Sequence, residues 1–405
     1  MITVTKKPPV VALCDNTMLF EFTTDLASGT DEVFLLILPW YDPSDVLGEE
    51  RLYPAVPGAA DTNLSEYLRS GMYALKQFVF PEQGNVPWNA RTGLSKEYKI
   101  RIQECYTDES GNPVVTTSWL EDRYVVRGKI PRWKWAAFYA QYNSFLEWVT
   151  NSKSFLTLSP KTLITRTDQV QKLYFLIYWA NQAGDKITLK IDITFTDATT
   201  ATYTPAQESA AIGMYQVFEF AAGYSVLGLA DWAGTNHPGK TIAKYAVTAM
   251  VGETAVSETR TYIVDRKAYP GMHQFLFANS VGGYDTLMAL GNSELNSSYD
   301  YEVVDQQSPG VQALAEKKQL FVDDVDVHIC RTGYMNSEMA LYMAEFFMSD
   351  ERYEISGSTL IPVVLRNTKV LRSRDSENLH YCEFEYEHSL NQKVEIGRAS
   401  CRERV

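Results

Sequence analysis

This sequence has little that would carry it into or across a membrane. Its longest continuous apolar run, Leu173–Ala180, is far short of the roughly 20 residues needed to span a bilayer. Near the start, Lys6-Lys7 is followed only by the short apolar stretch Val10–Cys14, less than the core of a secretory signal requires. The expectation is a soluble chain with no membrane insertion and no Sec export. Positive charge is also scarce: 37 Lys+Arg stand against 50 Asp+Glu, a net charge of −13. Nucleic acid and anionic lipid both select for surplus Lys and Arg, so neither is expected as a main partner. Cysteines are few and scattered, with no CxxC pair. In a chain without an export signal they are expected to be reduced and buried.

Catalytic signatures are equally thin. The sequence holds no HExxH, no GxGxxG and no EF-hand loop, and Gly223-Tyr224-Ser225-Val226-Leu227-Gly228 misses the serine-hydrolase elbow spacing by one residue. With five His, nothing points to a dispersed triad. The sharpest match is Gly234-Thr235-Asn236-His237-Pro238-Gly239-Lys240-Thr241, which satisfies G-x-x-x-x-G-K-[ST]. Such a loop cradles phosphate on successive N–H groups, while its Lys reaches the terminal phosphates. Pro238 removes one of those N–H groups. The alternation of Ala243, Tyr245, Val247, Ala249 and Val251 also predicts a strand after the motif, where a phosphate loop must open a helix. An exposed hairpin or loop is therefore expected, with no enzymatic activity, no catalytic residue and no cofactor.

What the sequence does hold is β-structure. Aromatics make up 13% of the chain, with 25 Tyr and 8 Trp, which suits sheets and contact surfaces. Strand-like runs recur at Val10–Phe22, Val33–Trp40, Tyr98–Glu104, Val114–Trp119, Leu173–Trp179, Ile187–Thr196 and Tyr215–Phe220. They continue at Tyr245–Val251, Thr261–Asp265, His273–Phe277, Asp300–Val304, Val325–Cys330, Ile361–Leu365 and His380–His388. Gly, Asn, Asp and Pro turns separate them, as in Asp108-Glu109-Ser110-Gly111-Asn112-Pro113. In the last strand Cys382, Phe384 and Tyr386 face one way and Glu383, Glu385 and Glu387 the other. This predicts a half-buried antiparallel strand whose acidic face is a solvated edge rather than a cation site.

Helices are predicted over Asn63–Leu75, Ala136–Trp148 and Asn336–Met348. In the last, Asn336 can cap, and Met339, Tyr342, Met343, Phe346 and Phe347 make one apolar stripe. The fold class is thus mainly β, with multi-domain immunoglobulin- or fibronectin-like sandwich units and a few short helices. Turns at Ser159-Pro160-Lys161 and at Asp265 to Gly271 divide the chain into 1–160, 161–265 and 266–394.

Two candidate sites come with a plainer alternative. His328-Ile329-Cys330 and His380-Tyr381-Cys382 each place a His and a Cys on one face of a strand. If paired in register, His328, Cys330, His380 and Cys382 could present Cys2His2 to zinc. Structural zinc usually uses tight CxxC turns, so inward packing is the default and no metal is assigned. Trp133 and Trp135 in Arg132-Trp133-Lys134-Trp135 share a face if the segment is a strand. They could stack on sugars, though core packing is the commoner role.

Residues 395–405, Glu-Ile-Gly-Arg-Ala-Ser-Cys-Arg-Glu-Arg-Val, match codon for codon the translation of a common short-read sequencing adapter. They are set aside as an artefact of metagenomic assembly. The natural chain is expected to continue past about Val394. Without them the charge is 34 − 48 = −14 and four cysteines remain.

Several blocks resemble proteins encoded by tailed phages and prophages of Bacteroides-type bacteria. They are Lys7–Phe22, Ser154–Pro160 followed by Lys172–Leu176, Phe275-Leu276-Phe277-Ala278-Asn279-Ser280-Val281-Gly282-Gly283-Tyr284-Asp285-Thr286-Leu287, and Ile361–Leu365 to Leu379–Tyr386. The resemblance implies a virion component of the tail or baseplate, made in the host cytoplasm. Its partners would be other tail subunits and copies of itself, with a host-surface glycan as a further contact. It carries over no functional residue. The competing classes are a surface carbohydrate-binding β-sandwich protein and a nucleotide-binding protein that depends on Lys240.

Overall fold

The computed structural model describes residues 2–23, 31–42, 45–46, 49–52, 59–63, 88–90, 94–108, 110–179, 186–205, 213–305, 317–357, 359–366 and 380–389. These are mainly β, in several sheets with four helices. The chain divides into two compact units. The first is Met1–Arg266 with Ala278–Thr286, and the second is Lys267–Phe277 with Leu287–Val405. The turn expected near 265 lies beside the first crossing, and the one at 160 lies inside the first unit. The adapter-like residues 395–405 lie outside the described residues.

In the first unit, β1 (Thr3–Lys6), β3 (Leu19–Thr23) and β7 (Ala59–Asn63) form an antiparallel sheet. A second sheet runs β2 (Val11–Leu13), β10 (Pro113–Val126), β9 (Ser95–Thr107), β4 (Asp31–Asp42) and β5 (Asp45–Val46), with β6 (Glu50–Leu52) also paired to β4. The turn chemistry between β9 and β10 is as the sequence predicts. The Asp108 carboxylate accepts the N–H groups of Ser110 and Asn112 at 2.9 and 2.8 Å, and Gly111 takes φ +82°.

The rest of this unit contains a two-sheet sandwich. One sheet is β11 (Thr162–Arg166), β18 (Arg260–Asp265), β16 (Ile242–Val251), β13 (Ile187–Phe195) and β14 (Thr200–Tyr203), with β17 (Thr254–Ala255) on β16. The other is β12 (Lys172–Leu176), β15 (Val217–Ala221) and β8 (Trp88–Ala90). Among the described strands of these two sheets, β11 and β18 alone pair in parallel. Strands that alternate between sheets in this order give the immunoglobulin-like division. The core follows from alternation: β13 buries every second residue, Ile187, Leu189, Ile191, Ile193 and Phe195. These pack with Phe155, Phe175, Phe220, Tyr245 and Val247.

Helices α1 (Arg132–Tyr139) and α2 (Phe145–Ser152) stand where one helix over Ala136–Trp148 was expected. The break comes from a second start signal. Ser144 caps α2 by accepting the Glu147 N–H at 3.1 Å, and the Glu147 carboxylate reaches back to accept the Asn143 N–H, one residue before the cap, at 2.7 Å. Helix α3 (Leu229–Asn236) was not expected, because Gly234 and Thr235 weaken its signal. Of the helix expected over Asn63–Leu75, Asn63 instead closes β7, and residues 64–75 lie outside the described residues.

The segment Ala278–Thr286 is held within the first unit by Asn279. Its side chain donates to Leu156 O at 2.7 Å and to Asp285 Oδ2 at 3.0 Å, and accepts from the Val281 and Gly283 N–H groups, each at 3.0 Å. Gly282, at φ +98°, lies so close to Val126 that an added Cβ would sit 2.3 Å from its Cγ1. Only glycine tolerates both conditions.

The strands of the second unit belong to a seven-stranded sheet in the order β20 (Tyr284–Ala289), β19 (His273–Ala278), β23 (Arg352–Ser356), β24 (Thr359–Leu365), β25 (Glu383–His388), β22 (Lys317–Arg331) and β21 (Ser293–Asp305), of which Ala278 and Tyr284–Thr286 are counted in the first unit. Helix α4 (Ser337–Met348) starts where predicted, with the Asn336 side chain accepting the Met339 N–H at 2.8 Å. Phe346 of α4 packs its ring on Phe275, Phe277 and Phe384 of the sheet. Cys382, Phe384 and Tyr386 are fully buried, as the alternation requires. The acidic face of β25 is not an edge, however. The strand lies between β24 and β22, and its carboxylates meet arginines: Arg331 donates to Glu383 at 2.6 Å, and Arg366 pairs with Glu387.

Candidate functional site

The sheet face beneath α4 changes character along its strands. Phe275 and Phe277 of β19 and Phe384 of β25 lie under the helix. Two residues further along each strand the apolar pattern gives way to His273 and Tyr386, with His388 beyond. Register brings the remaining members alongside: Phe275 pairs with Glu354 on β23, and His328 on β22 pairs with Tyr386.

Glu354 is the hub of this cluster. One carboxylate oxygen meets His273 Nδ1 at 2.6 Å. The other meets His388 Nε2 at 2.7 Å and accepts the Tyr386 hydroxyl at 2.9 Å. His328 stacks on the Tyr386 ring at 4.8 Å between centroids, 13° from parallel, and lies 4.9 Å from His388 and 6.2 Å from His273. Three of the five histidines in the chain therefore gather round one buried carboxylate.

The electrostatics follow from that geometry. Burial alone would raise Glu354, but the hydrogen bonds from His273, His388 and Tyr386 outweigh it and hold the carboxyl down at about 2. His273 is pushed up to about 10 by its hydrogen bonds to Cys330 and to Glu354. Burial, and then the neighbouring His388, push His328 below its ordinary value. Tyr386 is raised, by burial first and by Glu354 beside it. The Cys330 thiol is fully buried.

The residues singled out from the sequence are distributed differently. His328, Cys330, His380 and Cys382 do not come together as a set of four. Register places His328 opposite Tyr386 and Cys330 opposite Phe384, so the second HxC unit falls beyond the first. Cys382 hydrogen-bonds with Thr332, and His380 forms a bridge with Met335. The His380 Nδ1 is buried without a hydrogen-bond partner among the described residues. No group of three or more His, Cys, Asp or Glu among the described residues could hold a metal ion. Cys14, Cys105, Cys330 and Cys382 are free and buried, and burial pushes the Cys14 thiol up to about 12.

Trp133 and Trp135 lie on helix α1, not on a strand, so they do not share a face. Trp135 is 56% exposed and meets Tyr139 edge-on at 5.1 Å, an i, i+4 contact. The alternation was misleading because Trp-x-Trp is equally compatible with a helix whose buried residue is Phe138.

The phosphate-loop match is reversed in order. Gly234, Thr235 and Asn236 end helix α3, Gly239 turns at φ +80°, and β16 follows. A phosphate loop needs a strand before it and a helix N-terminus after it. Lys240 is engaged elsewhere, with Asp197 Oδ2 at 3.0 Å and Thr199 Oγ1 at 2.6 Å.

The His273–His388 cluster was invisible to motif reasoning, because its members span residues 273 to 388 and meet only through strand register. The available signal was the HxC unit containing His328 and the alternation that ends in Tyr386 and His388.

No family model matches the chain, and no curated protein does. Among solved structures it is similar to a bacterial integrin-binding protein, invasin, at 9% identity and TM-score 0.22, over 81% of this chain and 56% of that one. It is also similar to the plexin A4 extracellular region at 7% identity and TM-score 0.17, over 65% and 24% of the two chains. A Salmonella alpha-2-macroglobulin variant matches at 8% identity and TM-score 0.19, over 82% and 25%. The chain thus spans about half of invasin's solved length and about a quarter of the other two. At these scores the likenesses carry no assignment of function.

Proposed function

We propose that this chain is a non-enzymatic structural protein of a virion, a tail or baseplate component that assembles with other tail subunits and with copies of itself through its β-domains. The observation that supports assembly is an exposed apolar pair on the sandwich. Ile164 of β11 and Ile263 of β18 are register partners and are 66% and 44% exposed. Among the described strands β11 is the edge of its sheet, and an exposed apolar pair there, flanked by the charged Lys161, Arg166 and Asp265, is a surface on which a second chain can pack. The phage setting comes from the sequence resemblance of the Phe275–Leu287 and Lys7–Phe22 blocks.

Light scattering during size-exclusion chromatography tests the assembly. The expected result is an oligomer that an Ile164→Lys, Ile263→Lys double variant reduces to monomer. A chain that stays monomeric at high concentration overturns it. Mass spectrometry of purified particles, induced from a host strain that carries the gene, tests the virion setting. Absence of the chain from those particles counts against it.

A second reading rests on the exposed Trp135–Tyr139 pair, which is suited to stacking on a sugar ring. In it the chain is a surface carbohydrate-binding protein. A glycan array on which wild type binds and Trp135→Ala does not would favour it.

A further inference from the structure

We infer that His328, seated between Tyr386, His388 and His273 around the Glu354 carboxylate, is an acid-sensitive latch on the β22–β25 pairing of the second unit. This is a property beyond the assembly role, and it does not depend on that role.

Among the described residues His328 has few polar partners. Its ring makes no hydrogen bond among them; what holds it is stacking on Tyr386. The nearby carboxylate is already taken, with Glu354 bonded to His273, His388 and Tyr386. A proton on His328 therefore creates a half-buried cation 4.9 Å from one imidazole and 6.2 Å from another, with no anion free to meet it.

The groups facing it come from four strands. They are His273 from β19, Glu354 from β23, Tyr386 and His388 from β25, and Asp326 and Cys330 from its own β22. From β21 the register partner is the uncharged Leu295. Asp326 is exposed and its oxygen is bound to Ser297, so it screens weakly. The ring's lowered pKa agrees with this balance.

Because the folded pKa lies below the unfolded value of 6.5, the neutral ring favours the closed face above pH 6.5. That preference is lost as pH falls through the folded value. With one proton linked to opening, the open population rises by up to about tenfold per pH unit in this window.

Hydrogen–deuterium exchange on the full chain, corrected for intrinsic rates, is the test. Amides of residues 328–330 and 384–386 should lose protection between pH 7 and pH 5 in wild type. The His328→Phe variant, which keeps an aromatic ring on Tyr386 but binds no proton, should hold its protection. Matching pH profiles for the two proteins overturn the latch. Should His328→Phe disturb packing at pH 7.5, proton NMR of wild type decides alone: His328 must titrate below 6.5. A value at or above that overturns the proposal.

Discussion

Tyr245 donates its hydroxyl to the carbonyl of Ala222 across 2.9 Å of buried core, tying the start of β16 to the end of β15. The bond closes the corner where the chain passes from one sheet of the sandwich to the other, as a tyrosine corner does. Burial raises the Tyr245 hydroxyl pKa well above its ordinary value, so it remains a donor at any pH the fold survives. Tyr245→Phe leaves the Ala222 carbonyl without that donor and should cost about 1–3 kcal/mol. Urea unfolding monitored by tryptophan fluorescence measures it.

Asn279 serves four partners in a buried site. Asn279→Ala orphans two backbone N–H groups and the Leu156 carbonyl, and should destabilise the first unit by about 3 kcal/mol or more. A thermal melt comparing this variant with one on an exposed strand face, such as Lys190→Ala, separates it from a generic surface effect.

The His273–Glu354 pair predicts an alkaline loss of stability, opposite in sign to that of His328. His273 has a folded pKa of about 10 against 6.5. Its contribution is therefore complete below pH 6.5 and disappears as pH rises toward 10. In Glu354→Gln the wild-type fall in melting temperature between pH 7 and pH 10 should flatten. At pH 7 the variant should already be about 1–3 kcal/mol less stable, since it leaves the half-buried His273 cation without its carboxylate partner.

Lys240 is bound to Asp197 and Thr199 in a turn that follows a helix end. Lys240→Ala should leave ATP and GTP binding unchanged at a background level, measured by equilibrium dialysis. Its stability should change by less than about 1 kcal/mol, as for other partly exposed ion pairs.

The sequence made legible whatever depends on short-range periodicity. Cys382-Phe384-Tyr386 alternates as a buried strand does, and Asn336 with the Met339–Phe347 stripe marks a helix start and face. Wherever two periods fit one short segment, it misled. Arg132-Trp133-Lys134-Trp135 suits a strand until Phe138 is seen to be the buried residue of a helix. The candidate site was only partly legible. His328 stood out in its HxC unit, but its neighbours are chosen by a register that pairs it with Tyr386 and leaves His380 and Cys382 beyond. No spacing rule links His273, Glu354 and His388, because strand order, not chain order, makes them adjacent. The acidic stripe of β25 looked like an edge for a related reason: one strand's pattern does not reveal that Arg331 and Arg366 stand on its neighbours.

The assignment of Ala278–Thr286 to the first unit, with Lys267–Phe277 before it and Leu287 after it in the second, has a consequence for synthesis and inheritance. On the ribosome the first unit cannot be completed when residue 266 emerges. It must wait until the second has begun and residue 286 is out, so the two units mature as interleaved pieces rather than one after the other. A recombination event at any one crossing would strand part of one unit in the other's gene segment. No single crossover at 266/267, 277/278 or 286/287 leaves each unit with one parent's residues throughout, so exchange between related genes should avoid these boundaries.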